Sequence, residues 1–187
     1  MSFIELEYKY RADNVGLAEF RALMCSLDTK KSIDISSWDI YYIKAGESDK
    51  FQRFRNGSTP ELTKKRKTNN NNNWERVEVD LPLDESRVSE EIVSKYVSID
   101  GYYENFRIYK TCFIYWLDNI NFVYYIVYDK NLREQGRFIE VEVNKEMVSG
   151  LDDASVTLNQ AEIALGKLGI SHKNRLKKSL FEMFVKS

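Results

Sequence analysis

Glu5 and Glu7 stand two residues apart in Ile4-Glu5-Leu6-Glu7-Tyr8-Lys9-Tyr10-Arg11, and Glu140 and Glu142 stand two apart in Phe138-Ile139-Glu140-Val141-Glu142-Val143. Both segments alternate charged and apolar side chains with the period of a β-strand, so the acids of each share one face. Neighbours on such a face lie roughly 6–7 Å apart, twice the strand rise. Two carboxylates at that separation can hold one hard cation between them. A single strand of this kind reads as the wet face of an antiparallel sheet. Two of them, if paired, gather four like charges, which repel unless a cation or basic groups sit among them.

Basic residues follow the same logic. Phe51-Gln52-Arg53-Phe54-Arg55 puts Arg53 and Arg55 on one face. In Leu62-Thr63-Lys64-Lys65-Arg66-Lys67 both faces carry charge, and the run reads as a solvated strand or as a nucleic-acid patch. Between residues 74 and 81, Arg76, Glu78 and Asp80 oppose Val77, Val79 and Leu81. Lys110, flanked by aromatic residues and on the face opposite Arg107, either snorkels from a core or points at something anionic. Asp129, at the exit of Val127-Tyr128, reads as a turn residue before Lys130-Asn131 or as a further ligand. Most strands therefore carry ionisable groups on one face only. An open sheet would expose them to water, whereas a sheet curled into a tunnel would aim them at a common polyanion and its metal, with helices over the apolar outer faces.

The elements that must position these groups are legible in outline. Asp13 or Asn14 can cap a helix with Leu17, Phe20, Leu23, Met24 and Leu27 on one stripe. Strands are expected over about 38–43, 50–56, 61–68 and 74–81, with Asn56-Gly57 as a hairpin signal between the second and third. Asn69 to Asn73 form a polar tract with nothing to bury, expected as a flexible loop tip. Residues 84–97 look helical, with Val88, Ile92, Val93 and Tyr96 as the apolar stripe. Long strands are expected over about 103–117, 121–129 and 136–144, and helical spacing returns over 154–168 and 174–185. With no β-α-β alternation, about eight strands and four helices make an α+β domain with a largely antiparallel sheet.

The 187 residues suit a single domain, 1–187, with a proper core. Twenty-eight basic and 29 acidic residues leave a net charge of -1, so overall charge points to no nucleic-acid or acidic-membrane partner. Cys25 and Cys112 read as buried free thiols, and the lone His172 excludes a multi-histidine metal site. No run is apolar enough to span a bilayer and no leader is evident, so a soluble, reducing, cytoplasmic setting is expected. Gly166-Lys167 lacks the rest of a phosphate-binding loop, so phosphate chemistry would rest on side chains.

Glu5-x-Glu7-x-Lys9, Arg53-x-Arg55, Gly136-x-Phe138-x-Glu140-Val141-Glu142 and Lys178-Ser179-x-x-Glu182-Met183, in that order over nearly the whole chain, resemble the CYTH family, also called triphosphate tunnel metalloenzymes. The resemblance implies an eight-stranded antiparallel β-barrel, the triphosphate tunnel, with helices packed outside, and Mg²⁺ or Mn²⁺ as cofactor. It implies that Glu5, Glu7, Glu140 and Glu142 hold the metal, with Asp129 as a further acid. Lys9, Arg53, Arg55, Lys65 and Lys110 would grip phosphate oxygens, Lys65 rather than Lys64 because Thr63-x-Lys65 is similar to the family's Thr-x-Lys; Arg76 and Lys178 join that set. Glu78 and Lys110 would be catalytic. Two departures stand out: Ile108-Tyr109-Lys110 replaces a Lys-x-Arg, and Leu180 replaces a tyrosine.

The implied activity is metal-dependent hydrolysis of the terminal phosphate of inorganic triphosphate, a nucleoside triphosphate, thiamine triphosphate or an RNA 5′-triphosphate end, with no membrane or stable protein partner. Charge neutralisation and in-line positioning, rather than a covalent nucleophile, would drive it. Two alternatives remain: a class IV adenylyl cyclase, although only Met1-Ser2-Phe3-Ile4 stands where those enzymes resemble one another in a His-Phe pair, and a non-catalytic nucleotide- or polyphosphate-binding module.

Overall fold

The structure, a computed structural model, describes residues 2–67, 75–84, 88–143 and 151–185, with side chains described except at 2–5, 48–49, 67, 75–78, 80 and 151–152. Its strands are β1 (Ser2–Arg11), β2 (Lys31–Lys44), β3 (Glu47–Gly57), β4 (Glu61–Lys67), β5 (Glu75–Pro82), β6 (Tyr102–Trp116), β7 (Ile120–Tyr128) and β8 (Glu134–Val143). All pairings are antiparallel, in the order β1-β5-β4-β3-β2-β6-β7-β8, and the ring closes on itself. The expected α+β barrel is therefore the fold observed.

Closure depends on β1, which serves two neighbours in turn. Ser2 to Leu6 pair with β5, and Glu7 to Arg11 pair with β8. Where β5 has ended, the tail of the chain takes its place: Leu176 N donates to Lys9 O at 2.7 Å, and Tyr10 bridges Arg175. The same joint is clamped from outside. Tyr10 and Arg175 both donate to Glu162 Oε2, at 2.9 and 2.6 Å, and the Arg175 guanidinium lies 3.5 Å from the Tyr8 ring centre.

Strand alternation sorts the side chains, so the apolar face of each strand needs a cover. On one side α1 (Leu17–Ser26) and α3 (Leu151–Leu165) bury Phe20, Leu23, Met24, Ala154, Leu158 and Leu165 against Leu6, Tyr8, Tyr10, Tyr124, Ile139 and Val141. On the other, α2 (Glu90–Ile99) buries Val93 and Val97 on Ile40, Tyr42, Phe54 and Leu62. The fourth helix, α4 (Leu180–Phe184), does something else: Leu180 and Phe181 enter one end of the bore and pack with Tyr41, Phe51, Phe106 and Phe138. Phe181 stacks on Phe51 with ring centres 4.3 Å apart.

Several boundaries differ from those the pattern predicts. Gly16, not Asp13 or Asn14, caps α1, and its N–H donates to Glu19 at 2.8 Å. Asp13 is instead drawn to Arg11 and to the Arg137 backbone, which takes it away from the helix end. β2 begins seven residues before the expected start, because its polar first half is paired along β6 from Lys31↔Trp116 onward. The second helix starts at Glu90, capped by Ser89, and exposes Ile92 and Tyr96; its buried pair is Val93 and Val97, a narrower stripe than expected. The predicted helix over 174–185 shrinks to α4, since residues 175–176 are used to extend the sheet. Cys112 is buried as expected, but Cys25 is exposed near the end of α1, and both are free. The asparagine tract lies outside the described residues.

Candidate functional site

The bore holds a cavity of about 280 Å³ that gathers most of the charged residues singled out from sequence. Lys9, Arg53, Arg55, Lys65 and Lys110 line it together with Glu7, Glu61, Glu140 and Glu142. They reach one space because β1 to β4 and β6 to β8 each contribute their alternate face, and strand register sets which neighbours meet.

Carboxylates dominate one region. Glu7 lies directly across from Glu142, and Lys9 directly across from Glu140, on the β1/β8 pair. Lys9 Nζ is ion-paired to both Glu7, at 3.2 Å, and Glu140. Burial pushes the Glu140 carboxyl up, but the charges of Lys9 and Lys110 outweigh it and hold the group below its ordinary range.

Cations dominate the facing region, around a residue that pattern reading passed over. Asp39, wholly buried, takes Lys110 Nζ at 2.5 Å and Arg55 Nε at 3.2 Å. Burial alone would raise its pKa; Lys110, Arg55 and then Arg53 hold it far below the carboxylate range. Arg53 donates to Thr63 Oγ1 at 3.0 Å and lies 3.4 Å from Glu61. Asp39 shares a strand face with Tyr41 and Ile43, and a lone carboxylate on so apolar a face was the available signal. Beside it, burial and then the Asp39 charge push the Tyr41 phenol up to about 12.

The remaining candidates divide. Lys65 lines the cavity opposite Phe51, whereas Lys64 does not. For Glu5, Arg76 and Glu78 only the backbone register is described: Glu5 faces Arg76, and Glu78 faces both Lys65 and Phe3. Lys178 is exposed and outside the cavity lining, although its neighbour Ser179 lines it. Asp129 is also outside: its carboxylate accepts from the N–H groups of Asn131 and Arg133, at 2.8 and 3.0 Å, which is the turn reading left open from sequence. Arg107, on the face opposite Lys110, is engaged by Glu90 and Glu104. Two further cavity residues escaped notice because they are neutral. Tyr125 Oη and Asn121 Oδ1 are buried polar atoms with no hydrogen-bond partner among the described residues.

The donor set fits a hard divalent cation. Mg²⁺ is usually held by one or two carboxylates plus ligand phosphates rather than by a full protein cage. Glu7 facing Glu142 supplies such a pair, and among the described residues no group of three His, Cys, Asp or Glu forms a cage.

No protein-family model and no curated protein matches this sequence. Solved structures do. The PH1012 protein of Pyrococcus horikoshii superposes with a TM-score of 0.76 at 19% identity, over 97% of this chain and 99% of that one. The chain has their fold. A Vibrio parahaemolyticus protein provisionally described as an adenylate cyclase gives 0.70 at 13% identity, over 96% and 97% of the two chains. A chain of the Schizosaccharomyces pombe Mediator head module gives 0.62 at 12%, over 88% of this chain and 95% of that one. Among the described residues no helix is long and apolar enough to cross a membrane.

Proposed function

We propose that this chain is a CYTH-type enzyme that binds a triphosphate in its bore and hydrolyses the terminal phosphate with the help of Mg²⁺ or Mn²⁺. The observation that carries the reading is the sharing of one cavity by two opposed clusters, an acidic one around Lys9 and a cationic one around Asp39. Among the described lining residues, five cations face four carboxylates, a near balance that suits a metal together with a polyanion better than either alone.

The residues divide the work. Arg53 and Arg55 offer planar forks to phosphate oxygens, of which Asp39 takes only one N–H of Arg55, while Lys65 and Lys110 act as point charges. The fold excludes bulk water from one end through α4 and fixes the cations on strands rather than loops, so their geometry is set before the ligand arrives. A divalent ion would be held by Glu7 and Glu142 and would supply positive charge to offset that of the phosphates. In the reaction, a water oxygen bonds to the terminal phosphorus, the bridging P–O bond breaks, the diphosphate or ester leaves with its charge met by the cations, and one proton passes to solvent. The cytoplasmic setting expected from sequence is part of this proposal.

A second reading, cyclisation of ATP, is favoured by the Vibrio neighbour's description. One assay separates the two. Purified protein is incubated with Mg²⁺ or Mn²⁺ and, separately, inorganic triphosphate, ATP, thiamine triphosphate and triphosphorylated RNA, and products are identified. Orthophosphate is expected; cyclic AMP with pyrophosphate would replace the hydrolase by the cyclase, and tight binding with no product would leave a binding module. Glu142→Gln is expected to lower turnover by at least about a hundredfold at matched metal, the order of loss seen when a principal electrostatic group is removed. Wild-type turnover in that variant contradicts the assignment.

A further inference from the structure

Among the described lining residues, one part of the cavity wall carries no charge. Along one stretch of β2, β6 and β7 the lining is Ile35, Ile114, Trp116, Val123 and Asn121, all only half-buried. Ile35, Ile114 and Val123 pack against the cluster that holds the plug, and Trp116 and Asn121 lie beyond them, since β6 runs from Phe106 at the plug to Trp116 and β7 from Asn121 to Val127 at the plug. This neutral wall adjoins the acids directly: Trp116, Asn121, Glu142 and Glu7 are successive cross-strand partners over β6, β7, β8 and β1. Within it, the Asn121 carboxamide oxygen is buried and accepts no hydrogen bond from the described residues.

A bare inorganic triphosphate has no use for such a wall. It is charged on every side, offers no apolar surface to cover Trp116 or Ile114, and at neutral pH has no N–H to give an amide oxygen. A flat heterocycle has all that is missing: a π-face and apolar edge for the indole and aliphatic side chains, and an amino group for Asn121. Lys31, whose ammonium sits 5.2 Å from the Trp116 ring centre, holds the indole from the β2 side.

Resting on the triphosphate reading of the same cavity, we infer that Trp116 and Asn121, with Ile114 and Val123, form a specificity subsite for the ring of an organic triphosphate bearing an amino-substituted heterocycle. The ring then lies beside the Glu7/Glu142 pair and the phosphates run toward Arg53, Arg55 and Lys110. The substrate is thereby narrowed to a triphosphate ester, with inorganic triphosphate a poorer ligand.

The test is titration calorimetry of the full chain in Mg²⁺ with three probes: β,γ-imido ATP, the same compound with unsubstituted purine in place of adenine, and inorganic imidotriphosphate. Wild type is expected to bind imido ATP at least about tenfold more tightly than imidotriphosphate, a difference of about 1.4 kcal/mol. Trp116→Ala should erase most of that ratio while moving imidotriphosphate affinity by less than about twofold, within ordinary additivity error for separated contacts. Asn121→Leu should remove the preference for adenine over plain purine and leave the rest. Equal affinity of wild type for imido ATP and imidotriphosphate overturns the subsite alone. Binding of neither overturns the phosphate reading beneath it. Should Trp116→Ala fail to fold, Asn121→Leu with the purine pair decides the matter without it.

Discussion

Asp39 is a carboxylate inside a cluster of cations, and Lys9 is an ammonium inside a cluster of carboxylates. The two are near mirror images in charge, yet they differ in access to water. The Asp39 side chain is 0% exposed, whereas those of Lys9, Glu7 and Glu140 are 10, 12 and 22% exposed. Asp39 is therefore a fixed counter-charge for Lys110 and Arg55. Lys9 stands where a divalent cation could relieve the same repulsion. One cluster is closed to water, and the other is reached by it.

The sharpest way to break that contrast is Asp39→Ala. It leaves buried Lys110 and half-buried Arg55 without their partner, and losing one side of a buried pair costs about 3–5 kcal/mol. Urea unfolding should register the loss, and millimolar inorganic triphosphate should recover part of it by resupplying anionic charge. An unchanged midpoint would mean that Asp39 does not hold the cations. Lys9→Met should cost less, about 1–2 kcal/mol, between the limits for exposed and buried pairs, because water reaches the carboxylates it leaves behind. There Mg²⁺ or Mn²⁺, not triphosphate, should restore stability, and a metal response no larger than wild type's would sink the idea that a cation can stand in for Lys9.

Acid distinguishes the clusters more gently. The Asp39 carboxyl is depressed in the fold relative to an unfolded value of about 3.9, so its contribution is fully present above about pH 5 and is lost progressively as pH falls through the unfolded value toward the folded one. The stability gap between wild type and Asp39→Asn should therefore be constant from pH 7 to about 5 and narrow steadily at lower pH. A gap that widens on acidification would reverse the sign and disprove the pairing.

What could be read from the chain follows the same division. Glu7, Lys9, Arg53, Arg55, Glu140 and Glu142 declared themselves because strand alternation makes a charged face visible, and all of them line the cavity. Period alone left open whether the sheet was flat or closed, since closure depends on β1 changing partners at Glu7 and on residues 175–176 finishing its free edge. Asp39 was hidden by its aromatic neighbours, and the plug by α4, whose Leu180 and Phe181 look like any short apolar stripe until the bore exists to receive them. Neutral groups were hidden altogether, because an asparagine or tyrosine in a strand announces nothing until its partners can be counted.

Tyr125 turns that last point into the mildest prediction. Its hydroxyl is buried in the cavity wall with no partner among the described residues, while Lys110 lies over its ring at 5.6 Å. Burial, then the charges of Glu140 and Glu7, push its pKa well above the ordinary value, so the proton stays on and the group is a donor without an acceptor. Tyr125→Phe deletes an unsatisfied polar atom and should leave stability within about 0.5 kcal/mol of wild type, or raise it. If a phosphate oxygen is the missing acceptor, the same change should weaken imidotriphosphate binding severalfold, consistent with loss of one hydrogen bond to a charged group. Unaltered affinity would show that the hydroxyl lies out of the phosphates' reach, and the anion would then be held by the cations alone.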